Sequence, residues 1–343
     1  AGVLIALAFM WLIYGMNRKV IAKRLRRDKS GNTLSYSEIF KIIFFLVTPF
    51  ILSTFIYNFS TSLDETIYRK ILKLVKDVDV SQIATWYGIY SGKAVVISNI
   101  PIAIASAMSA AMIPSISGRF ATGDIKGTRA KVHTAILTTM LIAIPAAVGI
   151  GALAEPVVSF LFPGQTSLEM AAGLLRALSI TVVFYSLSTL TNAVLQGIGR
   201  VYIPVINAAV ALAVQTIVLV PCLWFTELNL YSLAIAAIVY SLLMCILNGI
   251  AVRKSLNYKQ DVLKIFILPA AASVVMGAAA YGTYTGLFSL AESNVISLIA
   301  AVIVGAVIYG ILILKMGVLK RDDILAMPKG NKLAGMLERL HLI

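Results

Sequence analysis

Long apolar runs placed almost back to back constrain this chain more than any other feature of its sequence. Runs of about 18 or more apolar residues are long enough to cross the hydrocarbon of a bilayer as helices. The chain is 59% hydrophobic and 13% charged, whereas soluble domains carry about 25% charged residues. Backbone polar groups in lipid must be paired within the segment, which favours helices. The sequence therefore predicts an all-α polytopic membrane protein.

We expect about nine transmembrane helices. Their predicted bounds are 1–16, 38–63, 83–113, 132–154, 168–196, 201–226, 229–251, 263–288 and 294–316. The chain starts inside an apolar segment without an initiator Met or a basic region before it, so that segment does not resemble a signal peptide. We interpret the chain as a fragment of a longer membrane protein. Cys222 and Cys245 lie within apolar runs and predict neither a disulfide nor a metal site.

Basic residues predict the orientation of the helices. If the nine segments alternate, most of the 29 Lys and Arg residues lie on one side, in 17–37, 114–131, 252–264 and the C-terminal tail. The opposite connections are balanced or acidic. By the positive-inside rule the basic side is cytoplasmic, and so is the C-terminus. The protein is expected in the cell membrane, where loop 17–37 faces anionic lipid head groups.

The tail 317–343 is too polar to span the membrane. Its apolar residues recur at helical spacing and predict an amphipathic helix on the cytoplasmic face; they are Leu333, Met336, Leu337, Leu340 and Ile343. An exposed helix or a disordered end fits the same sequence. Nucleic-acid binding is not predicted, because no aromatic residues are interleaved with the short basic cluster to stack bases.

The stretch "YGIYSGKAVVISNIP", Tyr87 to Pro101, places a glycine and a lysine inside an apolar run. It lacks the spacing and the Ser or Thr that a phosphate-binding loop needs. Neither an HExxH, a GxSxG nor a CxxC motif occurs in the sequence. The sequence therefore predicts a non-enzymatic protein without a cofactor or a bound metal.

Two basic residues, Lys93 and Arg176, remain inside predicted helices. A charge at such depth costs about 2.5–3.5 kcal/mol on insertion scales, which makes it a candidate functional residue. From the predicted helix ends, Lys93 is expected near the middle of the membrane and Arg176 closer to the outer interface. Asp64 and Glu65, expected near the outer surface, are candidate counter-charges. A structural pairing of each cation with an acid or with carbonyl groups is the alternative.

Asn58, Asn99 and Asn192 are candidate polar lining for the same region. Below Lys93, the stretch "IPIAIASAMSAAMIPS" has very little side-chain bulk. Small residues let helices approach closely. This helix is expected either to pack tightly or to slide against its neighbours.

Three stretches resemble the multidrug/oligosaccharidyl-lipid/polysaccharide exporter superfamily. They are "NIPIAIASAMSAAMIPSISGRFATGD", "ALAEPVVSFLFPG" and "LTNAVLQGIGRVYIPVINAAVAL". The likeness is strongest to the stage V sporulation protein B-like polysaccharide transporters and the lipid II flippases. It implies an architecture of two six-helix lobes followed by two further helices.

On that template, 1–16 is the last helix of a truncated first lobe and 17–37 a basic cytoplasmic loop. The second lobe is expected at 38–251, two additional helices at 263–316 and the cytoplasmic tail at 317–343. The lobes of such transporters are related by an axis along the membrane normal. The resemblance thus implies that an N-terminal lobe of the same chain is missing here.

The resemblance implies a flippase that moves a lipid-linked oligosaccharide, such as lipid II, by alternating access. The substrate carries a diphosphate, for which Lys or Arg supplies a counter-charge. Lipid II flippases place a basic residue on the helix that corresponds to the one with Lys93. The substrate-binding candidates are thus Lys93, Asp64, Arg176 and Asn99. The alternatives are a cation-coupled small-molecule exporter of the same superfamily and a scaffold subunit without a cavity.

Overall fold

The computed structural model describes residues 2–27, 34–164 and 167–318, and all the regular structure in these ranges is helical. The helices are α1 (Gly2–Arg27), α2 (Tyr36–Leu74), α3 (Val80–Ile89), α4 (Val95–Ala121), α5 (Ile125–Ala152), α6 (Ala154–Leu161), α7 (Leu168–Gly197), α8 (Tyr202–Phe225), α9 (Leu230–Leu256), α10 (Leu268–Ala291) and α11 (Asn294–Lys315). A π-helical turn, Tyr90–Ala94, joins α3 to α4, and a second one, Leu263–Ile267, precedes α10. The predicted amphipathic helix in the tail lies outside the described residues.

Seven of the described helical stretches are long and apolar enough to cross a membrane. They are Val80–Ala121, Ile125–Ala152, Leu168–Gly197, Tyr202–Phe225, Leu230–Leu256, Leu263–Ala291 and Asn294–Lys315. The predicted segments 1–16 and 38–63 fall within α1 and α2, which are helical but are not among these seven. The prediction of an all-α polytopic membrane protein is confirmed.

The chain forms two compact units. The first, residues 1–48, contains α1 and the beginning of α2; the second, residues 49–343, contains the remaining helices. Within the second unit, successive helices run up and down, so their connections gather at two ends. The turns α4–α5, α7–α8 and α9–α10 meet at what we call the basic end. The turns α2–α3, α6–α7, α8–α9 and α10–α11 meet at the mixed end, where acids and bases are balanced.

Each end of the second unit has its own apolar core. At the mixed end Tyr68, Leu72, Leu174 and Leu219 are fully buried in one cluster. At the basic end Ile136, Met140, Leu190 and Leu195 are fully buried in another. Lipid tails are as apolar as these side chains, so van der Waals packing, and not removal from water, stabilises such cores between membrane helices. The polar side chains described below lie on helices held by these two cores.

Helix α2 is longer than predicted. It ends at Leu74, eleven residues beyond the expected bound at 63. Glu65 and Arg69 form an ion pair at 2.8 Å one turn apart, which supports a helix even where the sequence is polar. Tyr68 and Leu72 on the same helix are completely buried. The predicted connection 64–82 is therefore mostly helix.

The predicted connection 114–131 is also mostly helical. Only the residues between Ala121 and Ile125 lie outside α4 and α5. Asp124 caps α5 by accepting a hydrogen bond from the Gly127 N–H at 2.8 Å, and Arg119 donates to it at 2.9 Å. The Gly127 bond, assisted by the Arg119 guanidinium, holds the pKa of Asp124 below its usual value. The "ATGD" motif is thus a helix–turn–helix corner.

The "LQGIGR" motif ends α7 with a Schellman turn. Gly199 has a φ of +78°, which favours glycine because a Cβ atom is crowded in the left-handed region. The Gly199 N–H donates to the Gln196 carbonyl at 3.0 Å, and the Arg200 N–H donates to the Leu195 carbonyl at 2.8 Å. These two bonds satisfy carbonyl groups that would otherwise be unpaired at the helix end.

We expect Gly199→Ala to lower the free energy of unfolding by about 1–2 kcal/mol, the cost of a left-handed conformation for a residue with a Cβ atom. The matched control is Gly310→Ala in α11, where a methyl group added to the Cα atom would meet no other atom within 4 Å. That change should be neutral or stabilise by up to about 1 kcal/mol. Denaturant unfolding in detergent micelles measures the free energy of unfolding of both variants. Equal effects of the two changes would contradict the left-handed conformation assigned to Gly199.

Candidate functional site

A polar groove runs along one face of the second unit. It is bordered by α2, α4, α7, α8 and α9, and it contains two adjoining cavities of about 90 and 560 Å³. The two cavities share five lining residues, Tyr57, Asn99, Ile102, Tyr185 and Tyr240. The smaller cavity lies toward the mixed end and the larger one toward the basic end. A groove of this kind distinguishes the molecule from a scaffold of helices packed without a cavity.

Helical spacing explains why the groove is polar. On α7 most of the residues that line it are three or four positions apart, so they share one face; they are Leu178, Thr181, Tyr185, Ser188, Asn192 and Gln196, with Thr189 and Ala193 beside them. On α4 the stretch of small residues lines it through Ser106, Ser109 and Ala110. Their small side chains leave the larger cavity open. The expectation of a helix packed tightly along its small residues therefore does not hold on this face.

Asp64 lies deep in the groove. The Gln215 side-chain amide donates to both Asp64 carboxylate oxygens at 2.6 Å and to the Ser60 hydroxyl at 3.0 Å. Gln215 is 1% exposed and lies ten residues before the end of α8 at Phe225, which is roughly 15 Å along the helix axis. The expectation that Asp64 lies near the outer surface was wrong, because α2 continues beyond it to Leu74.

Lys93 contacts the segment between α6 and α7. Its Nζ atom donates to the Ser167 hydroxyl at 2.9 Å and lies 5.6 Å from the centre of the Phe162 ring. Ser167 directly precedes α7, so the ammonium group is level with a helix terminus at the mixed end. The depth of this ammonium group in the membrane stays a prediction, and a long, flexible side chain reaches several ångströms from its own Cα atom.

The π-helical turn Tyr90–Ala94 contains Lys93. Such turns insert one extra residue into a helix and are frequent at functional sites. Lys93 is not among the side chains that line the two cavities of the groove. The structure therefore does not bring Lys93 and Asp64 together, although both belong to the same unit.

Arg176 points away from the groove. Its guanidinium pairs with the Glu155 carboxylate of α6 at 3.7 Å, with the side chains 52% and 60% exposed. Two residues further, Leu178 faces the groove, and two residues correspond to roughly 200° around a helix. Of the four predicted substrate-binding residues, the structure places Asp64 and Asn99 in the groove and Lys93 and Arg176 outside it.

Three asparagines form a ladder beside the groove. The Asn207 amide donates to the Asn248 oxygen at 2.8 Å, and the Asn248 amide donates to the Asn192 oxygen at 2.7 Å. The ladder joins α8, α9 and α7, and Asn248 in its centre is 0% exposed. Asn192 lines the larger cavity. The ladder therefore fixes the orientation of one amide in the groove.

Sequence reasoning missed Gln215, Asn248 and five tyrosines that line the groove: Tyr57, Tyr87, Tyr90, Tyr185 and Tyr240. Tyr57 and Tyr185 meet edge to face with ring centres 6.4 Å apart, and Tyr185 and Tyr240 lie 6.2 Å apart. The available signal was the spacing of Tyr185, Asn192 and the polar residues between them on α7. A line of polar and aromatic side chains on one face of an apolar helix indicates a polar neighbour or a cavity.

At the basic end, α5 contacts the last residue of α9 and the segment that follows it. The Arg129 guanidinium donates to the Leu256 carbonyl at 2.5 Å, and the His133 ring lies 3.1 Å from the Tyr258 hydroxyl. Burial, with the nearby Asp261 charge, raises the pKa of Tyr258 to about 12. Tyr258 therefore keeps its hydroxyl proton at physiological pH, and it contacts the His133 ring as a neutral hydroxyl group.

The fold and the groove define the class of the protein, a polytopic membrane protein of the transporter type. A family model described as lipid II flippase MurJ matches residues 81–312. This range covers more than half of the chain and contains the groove faces of α4, α7, α8 and α9. The chain belongs to the lipid II flippase MurJ family.

Individual relatives agree with the family assignment. The chain is 27% identical over 258 residues to "Lipid II flippase MurJ" of Bacillus subtilis (strain 168), covering 72% of this chain and 45% of the relative. It is 23% identical over 246 residues to "Uncharacterized membrane protein YabM" of the same strain, covering 68% and 44%. It is 27% identical over 187 residues to "Probable lipid II flippase MurJ" of Bdellovibrio bacteriovorus, covering 52% and 34%. The matched region thus spans less than half of each relative.

Proposed function

We propose that this chain is the second lobe, with two further helices, of a flippase for a lipid-linked oligosaccharide. The substrate is lipid II or a related polysaccharide intermediate. The observation that carries the proposal is the polar groove along one face of a unit built from membrane-spanning helices. A polar head group needs such a surface, because unpaired polar groups are costly in hydrocarbon.

A first lobe completes the transport path in this proposal. The groove lies on one side of the second unit and is partly open, so a facing lobe would convert it into a central cavity. Alternating access then consists of rocking one lobe against the other around a substrate held between them. The second lobe is assigned to 38–251 and the two further helices to 263–316. The limited coverage of the relatives supports the presence of additional chain in the whole protein.

The basic end is assigned to the cytoplasm. Arg119, Arg129, Arg200 and Arg253 lie in or next to the turns at this end, as the positive-inside rule requires. The C-terminus follows α11, which ends at the same side, so it is cytoplasmic as well. Asp64 and Lys93 then lie in the outer half of the protein.

The four candidate residues take different roles in this proposal. Asp64 and Asn99 contact the head group in the groove. Lys93 acts at the outer end, where its ammonium group is a counter-charge for the diphosphate on release. Arg176 assists at the same end when its half-exposed pair with Glu155 opens. Membrane lipids surround the remaining apolar faces.

The first test measures solvent access to position 93. Lys93→Cys is made with Cys222→Ala and Cys245→Ala in the protein joined to its first lobe, and labelled in intact cells with a membrane-impermeant thiol reagent. We expect labelling from the outside that lipid-linked substrate blocks. The matched control, Thr122→Cys in the exposed turn at the basic end, should react only after the cells are permeabilised.

Flipping by Lys93→Ala completes this test. A loss of roughly tenfold or more is expected if the cation contributes about 1.4 kcal/mol to substrate handling. Full flipping by Lys93→Ala would remove Lys93 from the mechanism. Labelling of position 122 instead of position 93 from the outside would reverse the proposed orientation.

A second candidate function is a cation-coupled exporter of small molecules. The observation that favours it is Asp64, whose carboxylate lies in the groove, because coupling ions need an acid in the transport path. In that case Asp64→Asn abolishes the dependence of transport on a sodium or proton gradient. If transport of lipid-linked oligosaccharide continues without either gradient, the exporter is excluded.

A further inference from the structure

The groove is almost free of charge. Among the described residues that line its two cavities, Asp64 is the only charged side chain. A diphosphate is bound in proteins by Arg, Lys, backbone N–H groups or metal ions. An acid in place of these groups repels a diphosphate. The groove is therefore unsuited to the charged part of a lipid-linked oligosaccharide.

Three of the aromatic residues that line the groove form a cluster around Tyr185. Its ring contacts Tyr57 edge to face and Tyr240 at a tilt of 40°. Such rings are large, rigid and apolar, and each carries a hydroxyl group at its edge. A cluster of this kind offers flat surfaces to the C–H faces of sugar rings and hydrogen bonds to their hydroxyl groups.

Neutral hydrogen-bonding groups surround this cluster. Asn99 lies in both cavities, and Asn192, Gln196 and Thr189 line the larger one. The asparagine ladder uses the Asn192 oxygen as an acceptor, so the Asn192 NH₂ group remains to donate to a ligand. Side-chain amides and hydroxyls are the groups that match sugar hydroxyls and acetamido substituents. A volume of about 560 Å³ is within the usual range for ligand sites.

We propose that this groove binds the uncharged sugar rings of the transported lipid, while the diphosphate is bound outside the groove. The inference rests on the proposed function for the identity of the ligand. Tyr185 and its aromatic neighbours stack on the rings, and Asn99, Asn192 and Gln196 bind the polar substituents. The lobe thus selects the substrate by its sugar and not by its charge.

The experiment measures binding of two soluble probes by the chain in detergent micelles. N,N′-diacetylchitobiose represents uncharged, amide-bearing sugar rings, and inorganic pyrophosphate represents the charge. Dissociation constants are obtained by saturation-transfer NMR for the parent protein, Tyr185→Leu and Tyr185→Phe. The matched control is Phe184→Leu, the neighbouring aromatic residue of α7, which lines a different cavity.

We expect the disaccharide to bind and pyrophosphate not to compete for its site. Tyr185→Leu should weaken disaccharide binding about tenfold, which corresponds to about 1.4 kcal/mol and lies at the upper end for a single aromatic contact. Tyr185→Phe keeps the ring and loses the hydroxyl group, so it should weaken binding less than Tyr185→Leu does, and Phe184→Leu should leave it within about twofold. If Tyr185→Leu fails to fold, Thr189→Trp fills the larger cavity from its wall and should block the disaccharide instead.

Three results would overturn the inference. They are displacement of the disaccharide by pyrophosphate, equal binding by all variants, and no binding of the disaccharide to a folded parent protein. Flipping of lipid-linked substrate by the protein with its first lobe is measured in parallel. If the disaccharide binds but lipid-linked substrate is not flipped, the sugar assignment of the groove stands and the proposed flippase function is refuted. If flipping occurs and is unchanged in Tyr185→Leu and Thr189→Trp, the flippase function stands and the sugar assignment of the groove is refuted.

Discussion

Replacing Gln215 by Leu is expected to lower the free energy of unfolding by about 2–3 kcal/mol, the cost of leaving a buried acceptor without its donor. The Gln215 amide is the group that bonds both oxygens of Asp64, each at 2.6 Å, and it also bonds Ser60 at 3.0 Å. Leu has a similar size but no donor. The loss should be visible as a lower midpoint in an SDS titration in mixed micelles.

A double-mutant cycle separates this bond from simple repacking. In Asp64→Leu with Gln215→Leu, neither polar group remains, so the double variant should be more stable than Gln215→Leu alone. The control is Thr216→Val at the next position of α8, where the hydroxyl bonds only the Leu212 carbonyl of its own helix. If Gln215→Leu and Thr216→Val lower the free energy of unfolding equally, the Asp64–Gln215 pair does not hold α2 against α8.

The predicted helices agree best with the structure where apolar residues dominate throughout. The predicted segments 168–196, 201–226 and 294–316 are within about two residues of α7, α8 and α11. Agreement is poor where a helix continues into polar sequence. Hydropathy detects lipid contact and not helicity, so it misses the charged turns of α2 that are stabilised by the Glu65–Arg69 pair and by burial of Tyr68.

A misplaced helix end explains the error at Asp64. Asp64 was expected at a surface because 63 was taken as the end of its helix, and it lies ten residues before the real end. Lys93 is predicted at mid-depth from helix ends and Cα positions, and its ammonium group bonds Ser167 at a helix terminus. The depth of a charge depends on side-chain reach and on the neighbouring helix, which the sequence of one segment does not contain.

The motifs that carry the family resemblance combine groove residues, such as Asn99 and Asn192, with the glycines of two helix corners. Gly199 in "LQGIGR" and Gly123 in "ATGD" both adopt positive φ angles and terminate α7 and α4. The groove residues are dispersed over five helices, and their pairing is determined only by three-dimensional packing. This is why the family was predictable and the tyrosine cluster was not.

Replacing Asn248 by Leu is expected to lower the free energy of unfolding by about 2 kcal/mol, because two interhelical hydrogen bonds are lost at a fully buried position. Asn248 is 0% exposed, donates to Asn192 and accepts from Asn207. Polar bonds between membrane helices average only about 0.6 kcal/mol in double-mutant cycles. The larger part of the effect therefore comes from the two partners left unpaired.

Ser241→Ala is the matched control for Asn248→Leu. Ser241 is also 0% exposed and on α9, but its hydroxyl bonds the Ile238 carbonyl of the same helix. Its removal should change the free energy of unfolding by less than about 0.5 kcal/mol, because no interhelical bond is lost. Asn248→Leu should in addition weaken disaccharide binding in the groove, since Asn192 loses the contact that orients its amide. A variant that is destabilised but binds the disaccharide with unchanged affinity would show that the ladder holds the helices together without preparing the groove for its ligand.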